Sequence, residues 1–266
     1  MLLGNKEIQN YFKTLIENNN LSHAYLFYGP EGVGKKSFAR SVSEKLTGSL
    51  SNQDLKIIDK EGDEISIVDI RELKNFIHLT PFGKCKTVII NNAHNLGRDA
   101  SNALLKILEE PPGESVLFLI SHLPKILLPT VLSRCQMVRF QPLKGKEIID
   151  YLTGENKVKN ETAVTIAKFA NGSLGQALEL VQNFDNFKKN ITLLNKLAKA
   201  EFSERFEIAK KISAEDDFKK VVADWFFYSA SLPDKKIASL LLNLSNMLSH
   251  SQFNRKLALE NFLIKF

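Results

Sequence analysis

Ala24-Tyr25-Leu26-Phe27-Tyr28-Gly29-Pro30-Glu31-Gly32-Val33-Gly34-Lys35-Lys36-Ser37 reads as a strand, a glycine-rich turn and the opening of a helix. Ala24 to Tyr28 is a short apolar run that fits a buried strand and stops at Gly29. Gly29-Pro30-Glu31-Gly32-Val33-Gly34-Lys35 has the spacing of a phosphate-binding loop, and a helical pattern runs from Lys35 to Leu46. Glycines let the backbone wrap phosphates, amides point inward, and a helix N-terminus favours an anion. Gly29, Gly32, Gly34 and Lys35 are therefore the candidate phosphate-binding residues. A glycine-rich turn without a ligand would share this composition; the strand before it and the helix after it favour the loop.

The motif then departs from its pattern. After the lysine it calls for Ser or Thr, whose hydroxyl ligates Mg²⁺. Lys36 stands there instead, and Ser37 lies one residue further round the helix. The second half of a nucleotide site is a buried strand ending in acids that hold the metal and orient water. Val88-Ile89-Ile90 is such a strand, but it ends in Asn91-Asn92-Ala93-His94. An amide offers the metal no charge and the water almost no basicity. Nucleotide hydrolysis is expected to fail at two separate steps, and binding of ATP or ADP to be weak and little changed by Mg²⁺.

Working outward, strand-like and helix-like segments alternate up to Pro142, the pattern of an α/β domain with a mainly parallel sheet. Further strands are expected at Lys56–Asp59, Thr87–Ile90, Val116–Ile120 and Gln136–Phe140. Helices are expected around Ile8–Ile16, Ile70–Ile77 and Ala103–Leu108, the last stopping before Pro111-Pro112. Beyond Pro142 the strands cease. Lys146–Leu152, Glu161–Phe169 and Leu174–Gln182 read as three short helices, with Asn171-Gly172-Ser173 as stop and cap between the last two. From Phe187 the chain stays helical, interrupted at Leu232-Pro233-Asp234. Three domains are expected: an α/β domain at 1–142, a three-helix domain at 143–185 and an all-α domain at 186–266.

Composition narrows the class. The 266 residues carry a net charge of +6, with 44% hydrophobic and 25% charged side chains, ordinary for a globular protein. Basic residues are spread along the chain without the stripe of a dedicated DNA binder. No apolar run approaches a membrane span and the first residues lack a secretory h-region, so a cytoplasmic location is expected. Cys85 and Cys135 stand alone, excluding a disulfide framework. His23, His78, His94, His122 and His250 have no ligand spacing, so neither zinc nor any other metal site is expected.

Three further stretches carry a resemblance. His23 to Pro30, Asn102-Ala103-Leu104-Leu105-Lys106-Ile107-Leu108-Glu109-Glu110-Pro111-Pro112 and Leu132-Ser133-Arg134-Cys135 resemble, in order, the AAA+ domains of bacterial DNA polymerase III clamp loaders. The resemblance implies an AAA+ P-loop domain, a three-helix lid and a helical oligomerisation collar. It points to the delta-prime type, which commonly loses the metal-binding hydroxyl and both acids. Gamma-type lids also carry a γ-phosphate-sensing arginine, whose place here is Gly175. The zinc module common in relatives is missing, as Leu46 to Asp59 contains no cysteine.

What the family does then sets the functional expectation. The chain would be a non-hydrolysing subunit that helps open a sliding clamp and place it on primer-template DNA. Its partners would be gamma/tau-type ATPase subunits, the delta subunit and, less directly, clamp and DNA, with no required cofactor. Arg134, in the Ser-Arg-Cys position, would be an arginine finger reaching the ATP of a neighbour. On spacing alone Arg134 would read as an arginine in an intramolecular ion pair. Two rival readings stay open: a self-sufficient gamma-type P-loop ATPase, and a DNA-binding helical protein with a relic loop.

Overall fold

The computed structural model describes residues 3–48, 52–60, 62–215, 217–232, 235–249 and 254–266. The expected break at Pro233-Asp234, and His250, lie outside the described residues. Five strands form a single sheet: β1 (Ala24–Tyr28), β2 (Leu55–Ile58), β3 (Lys86–Ile90), β4 (Ser115–Ser121) and β5 (Gln136–Arg139). Their order is β2-β3-β4-β1-β5 and every pairing is parallel. Parallel strands need crossovers, which here are α2 (Lys35–Thr47), α3 (Ile67–Ile77) and α4 (Arg98–Glu109), preceded by α1 (Lys6–Glu17).

Period-2 alternation assigns each strand residue to a face. Tyr25, Phe27, Ile89, Val116, Phe118 and Ile120 join Phe12 of α1 and Phe38, Ala39 and Val42 of α2 in one core layer. Ala24, Leu26, Val88, Ile90, Leu117 and Leu119 join Ile70, Leu73 and Ile77 of α3 and Leu104 and Ile107 of α4 in the other. Both faces are apolar because both are covered, as parallel sheets require. Phe12 organises the first layer: its ring lies 4.9 Å from Tyr25, 5.4 Å from Phe27 and 5.4 Å from Phe38, centroid to centroid. Helix α4 ends at Glu109, as expected ahead of Pro111.

The strand β3 begins one residue earlier than the apolar pattern suggests, at a charged residue. Lys86 is 2% exposed and its ammonium lies 2.6 Å from Asp54 Oδ1, itself 1% exposed. The Asp54 carboxylate also accepts from the Phe82 and Gly83 amides, at 3.1 and 2.6 Å. Lys86 Nζ sits 4.8 Å from the centre of the Phe76 ring and donates to Gln53 O. A buried charge is tolerated when it is paired and its remaining sites are hydrogen-bonded, and this pair meets both conditions.

The chain forms two compact units, one comprising Met1–Ile148 with Gly172–Gly175, the other Ile149–Asn171 with Gln176–Phe266. Helix α5 (Pro129–Leu132) is a single turn before β5, and α6 (Gly145–Gly154) runs from the first unit into the second. Positive φ at Asn171 (47°) and Gly172 (81°) ends α7 (Asn160–Phe169) ahead of α8 (Leu174–Gln182). The second unit continues through α9 (Phe184–Lys199), α10 (Phe202–Ser213), α11 (Phe218–Ser231), α12 (Lys236–Ser249) and α13 (Arg255–Lys265). Its core surrounds Trp225, fully buried, whose indole N–H donates to Asn190 O at 2.7 Å. Among the described residues, no helix is long and apolar enough to cross a membrane.

The Lys86–Asp54 pair yields a stability prediction. Asp54→Ala leaves a buried ammonium uncompensated and should cost about 3–5 kcal/mol in urea melts, with the double Asp54→Ala/Lys86→Met variant recovering part of it. Burial alone would raise the Asp54 carboxyl, but Lys86 and the two amides outweigh it and hold it below the usual range. That contribution is complete above the unfolded carboxyl value of about 3.9 and is lost as pH falls through the lower folded value. The stability gap between wild type and Asp54→Asn should therefore shrink below about pH 4.

Candidate functional site

Because all strands run one way, the turns following β1, β2, β3 and β4 emerge at the same edge of the sheet. That carboxyl edge is where open α/β sheets bind ligands. The turn after β1 is the phosphate loop. Gly29 has φ +138° and a side chain there would run into Phe140 O; Gly32 has φ +71° and a side chain would run into Ser173 Oγ. Both positions need glycine for backbone conformation and for close approach. Lys35 opens α2, is 6% exposed, and donates through Nζ to Gly29 O at 2.8 Å and to Pro30 O. Burial pushes its ammonium down to about 8, with Glu31 opposing the shift.

The segment Gly172–Gly175 closes over this loop. The Gly175 amide donates to Gly32 O at 2.9 Å, and a Cβ on Gly175 would meet Gly32 Cα at 3.2 Å. Gly175, the place where an arginine stands in gamma-type lids by resemblance, is thus a point of backbone-to-backbone contact. A long side chain fits there only if the loop gives way.

The positions that would serve a metal are tied to one another. Lys36 Nζ lies 2.5 Å from Asp59 Oδ2, and Asn91 Nδ2 donates to Asp59 Oδ1 at 3.1 Å. Asp59 follows the last residue of β2, so one carboxylate joins the start of α2 to the ends of β2 and β3. Ser37 is exposed, and Asn92 adopts the left-handed conformation (φ 50°, ψ 46°) that asparagine tolerates best among non-glycine residues. This donor set does not fit Mg²⁺. The hydroxyl position holds a cation, the acid positions hold amides, and the Asp59 carboxylate beside them is paired with an ammonium. Asp59 escaped the sequence reading because it belongs to no motif; only the parallel pairing of β2 with β3 brings it to Asn91.

His94 lies at the same edge. Its Nδ1 is 3.2 Å from Ser121 Oγ, and its ring meets the His122 ring edge-on at 4.3 Å. Burial lowers its pKa first, and His122 lowers it further. Among the described residues, no three His, Cys, Asp or Glu side chains converge as metal ligands.

Arg134 is elsewhere. It follows α5 and precedes β5, which places it at the amino edge of the sheet, opposite the phosphate loop. Its Nη2 pairs with Glu109 Oε1 at 2.7 Å, and its Nη1 donates to Thr130 O at 3.0 Å. Strand lengths of four to seven residues put roughly 15 Å between the two edges, so Arg134 is not brought to this chain's own loop. The adjacent Cys135 is buried, and burial pushes its thiol up to about 12, so it packs as a small hydrophobe.

A five-stranded parallel sheet with its phosphate loop after β1, followed by a helical region, defines a P-loop α/β fold. The same architecture appears in a DNA polymerase III gamma subunit-related protein from Thermotoga maritima (TM-score 0.52, 23% identity), covering 95% of this chain and 97% of that one. The family model described as DNA polymerase III, delta subunit, matches residues 4–144. The DNA polymerase III subunit delta' of Bacillus subtilis (strain 168) is 33% identical over 201 residues, covering 68% of this chain and 60% of the relative. The tau/gamma subunit of Haemophilus influenzae is 34% identical over 205 residues, covering 67% of this chain and 30% of that relative. The chain belongs to the delta-prime family of DNA polymerase III clamp-loader subunits.

Contact between Gly32 and Gly175 can be tested directly. Gly32→Ala should cost about 1 kcal/mol or more, from the left-handed backbone and the Ser173 contact together. Gly175→Arg should raise amide exchange across residues 29–35. Gly154→Ala, whose Cβ would meet nothing within 4 Å, should leave that exchange unchanged.

Proposed function

We propose that this chain is a non-hydrolysing subunit of the delta-prime type, which helps a clamp loader open a sliding clamp and place it on primer-template DNA. The observation that carries the reading is the Lys36–Asp59–Asn91 bridge, which sets a cation and an amide where hydrolysis needs a metal and a base. The residues at 143–185 would act as the lid and those at 186–266 as the collar, in a cytoplasmic hetero-oligomer with gamma/tau-type and delta subunits. No cofactor is required for that role, and any binding of ATP or ADP would be weak.

Arg134 would be donated in trans. Its place at the amino edge supports this, since it faces away from its own loop and toward whatever packs against that edge. The ion pair with Glu109 is no obstacle: side-chain exposures of 35% and 49% make it a surface pair, worth about 0–1 kcal/mol. A guanidinium can exchange such a carboxylate for a neighbour's phosphate and present its planar fork to charge developing in phosphoryl transfer. A gamma-type ATPase is the second reading, favoured by the intact Gly29, Gly32, Gly34 and Lys35 and by the tau/gamma relative.

Turnover separates the two. The pure chain should show no ATP hydrolysis above background, and Asn91→Asp with Asn92→Glu should not rescue it while Lys36 remains. Turnover that Lys35→Ala abolishes would establish the gamma-type reading instead. In complexes reconstituted with gamma-type and delta subunits, Arg134→Ala should leave assembly intact. It should slow hydrolysis at the one partner site it faces by about a hundredfold or more. Arg134→Lys should rescue poorly because a point charge cannot reproduce the fork. Unchanged clamp- and DNA-stimulated turnover in fully assembled Arg134→Ala complexes would leave the subunit a purely structural role.

A further inference from the structure

Helix α4 ends on a carboxylate that its own backbone opposes. Glu109 is the last residue of α4, where the carbonyl end of the helix makes a negative charge unfavourable and a nearby cation welcome. Arg134 supplies one cation, with Nη2 2.7 Å from Glu109 Oε1. Glu109 also lines a cavity of about 330 Å³, together with Lys74, His78, Lys106 and Glu110. Lys74 comes from the last turn of α3 and Lys106 from the last turn of α4. Neither lysine side chain has an ion-pair or hydrogen-bond partner among the described residues. While Glu109 stays with Arg134, two lysines in the cavity face Glu110 alone.

The Arg134 guanidinium is held at one end and covered at the other. Nη1 donates to Thr130 O at 3.0 Å and to Ser133 Oγ at 3.4 Å, both in the turn that α5 begins. Nε and Nη2 make no hydrogen bond among the described residues, and the Glu109 carboxylate sits against Nη2. That Nε–Nη2 edge is a planar fork of the kind that takes a phosphate. We propose that Glu109 is an internal stand-in for the phosphate. It caps Arg134 in the resting subunit, yields the fork when a neighbour's nucleotide arrives, and turns to Lys106 and Lys74 in the cavity. The inference rests on the reading of Arg134 as a finger donated in trans, and adds the regulation of that finger.

The physical argument is an exchange of partners that leaves no charge unmatched. Lys106 stands three residues before Glu109 on α4, a spacing at which helical side chains meet. With Glu109 turned into the cavity, two carboxylates face two lysines there, and the guanidinium is free for a phosphate. Glu109 thus trades one cation for another and never stands alone at the helix end. The backbone and hydroxyl contacts of Nη1 need not break, so the finger keeps its aim while the carboxylate leaves. The brake is mild: an exposed ion pair shifts such an equilibrium by no more than about fivefold.

The test is ATP hydrolysis by complexes reconstituted with gamma-type and delta subunits, titrated with ATP in the absence of clamp and DNA. Thermal melts and gel filtration check folding and assembly, which surface variants should leave intact. Glu109→Gln keeps the size of the side chain and removes its charge. It should raise kcat/KM about two- to fivefold, because the finger no longer has to be uncapped. Lys74→Met/Lys106→Met should lower kcat/KM about twofold, since Glu109 then has no second cation to turn to. Both effects depend on the same exchange, so they should not add. The lysine variants should change nothing in a Glu109→Gln background, and Glu109→Gln should change nothing in an Arg134→Ala background. An unchanged or lowered kcat/KM for Glu109→Gln would overturn the stand-in. A rise that persists without Arg134 would do the same, as it marks plain repulsion of ATP by a carboxylate. Lysine variants with wild-type kinetics, or with an effect that survives Glu109→Gln, would overturn it as well. If Arg134→Ala slows the complex and Glu109→Gln does not speed it, the stand-in alone fails. If Arg134→Ala does not slow the complex, the finger reading fails and the stand-in with it.

Discussion

A sheet whose strands all run in one direction has two chemically different edges, and this chain uses both. Amino ends gather at one edge and carboxyl ends at the other, and every return must cross a face on a helix. The carboxyl edge therefore receives Gly29 from β1, Asp59 from β2, Asn91 from β3 and Ser121 from β4, residues far apart in sequence. The amino edge receives Glu109 ahead of β4 and Arg134 ahead of β5. The sheet itself separates a residue at the amino edge from the loop. The apolar layers that make this possible are continuous on both faces, with Phe12 and the β1 aromatics filling one and the α3 and α4 aliphatics the other.

Most of this frame was legible in the sequence, for stated reasons. The strand β1 and its loop are marked by an apolar run meeting spaced glycines, and the helices α7 and α8 by their own periodicity and the Asn171-Gly172 stop. What the sequence hid was charge placed where pattern forbids it. Lys86 reads as a loop residue, yet it is buried because Asp54, 32 positions earlier, is buried opposite it. Asp59 reads as the polar end of an expected strand, and its contact with Asn91 emerges only from the β2–β3 pairing. Trp225, the centre of the helical unit, carries no periodic signal that separates it from its apolar neighbours in α11, and its partner Asn190 lies on α9. In each case the information is a pair of residues distant in sequence, which no local pattern encodes.

The glycines and lysine of the loop each have a partner within the protein itself. Gly29 is required by Phe140 and Gly32 by Ser173 and Gly175, contacts within the protein that would persist with or without a nucleotide. Lys35 satisfies two loop carbonyls. Positive charge at this edge is at the same time subdued: burial brings Lys35 down to about 8, His94 is pushed toward its neutral form, and Lys36 is matched by Asp59. Attraction for an anion then rests on the amides, the first turn of α2 and Lys35, which a value of about 8 leaves mainly protonated at neutral pH. The loop's shape is thus maintained by packing within the protein, through the Gly29–Phe140 and Gly32–Ser173 approaches.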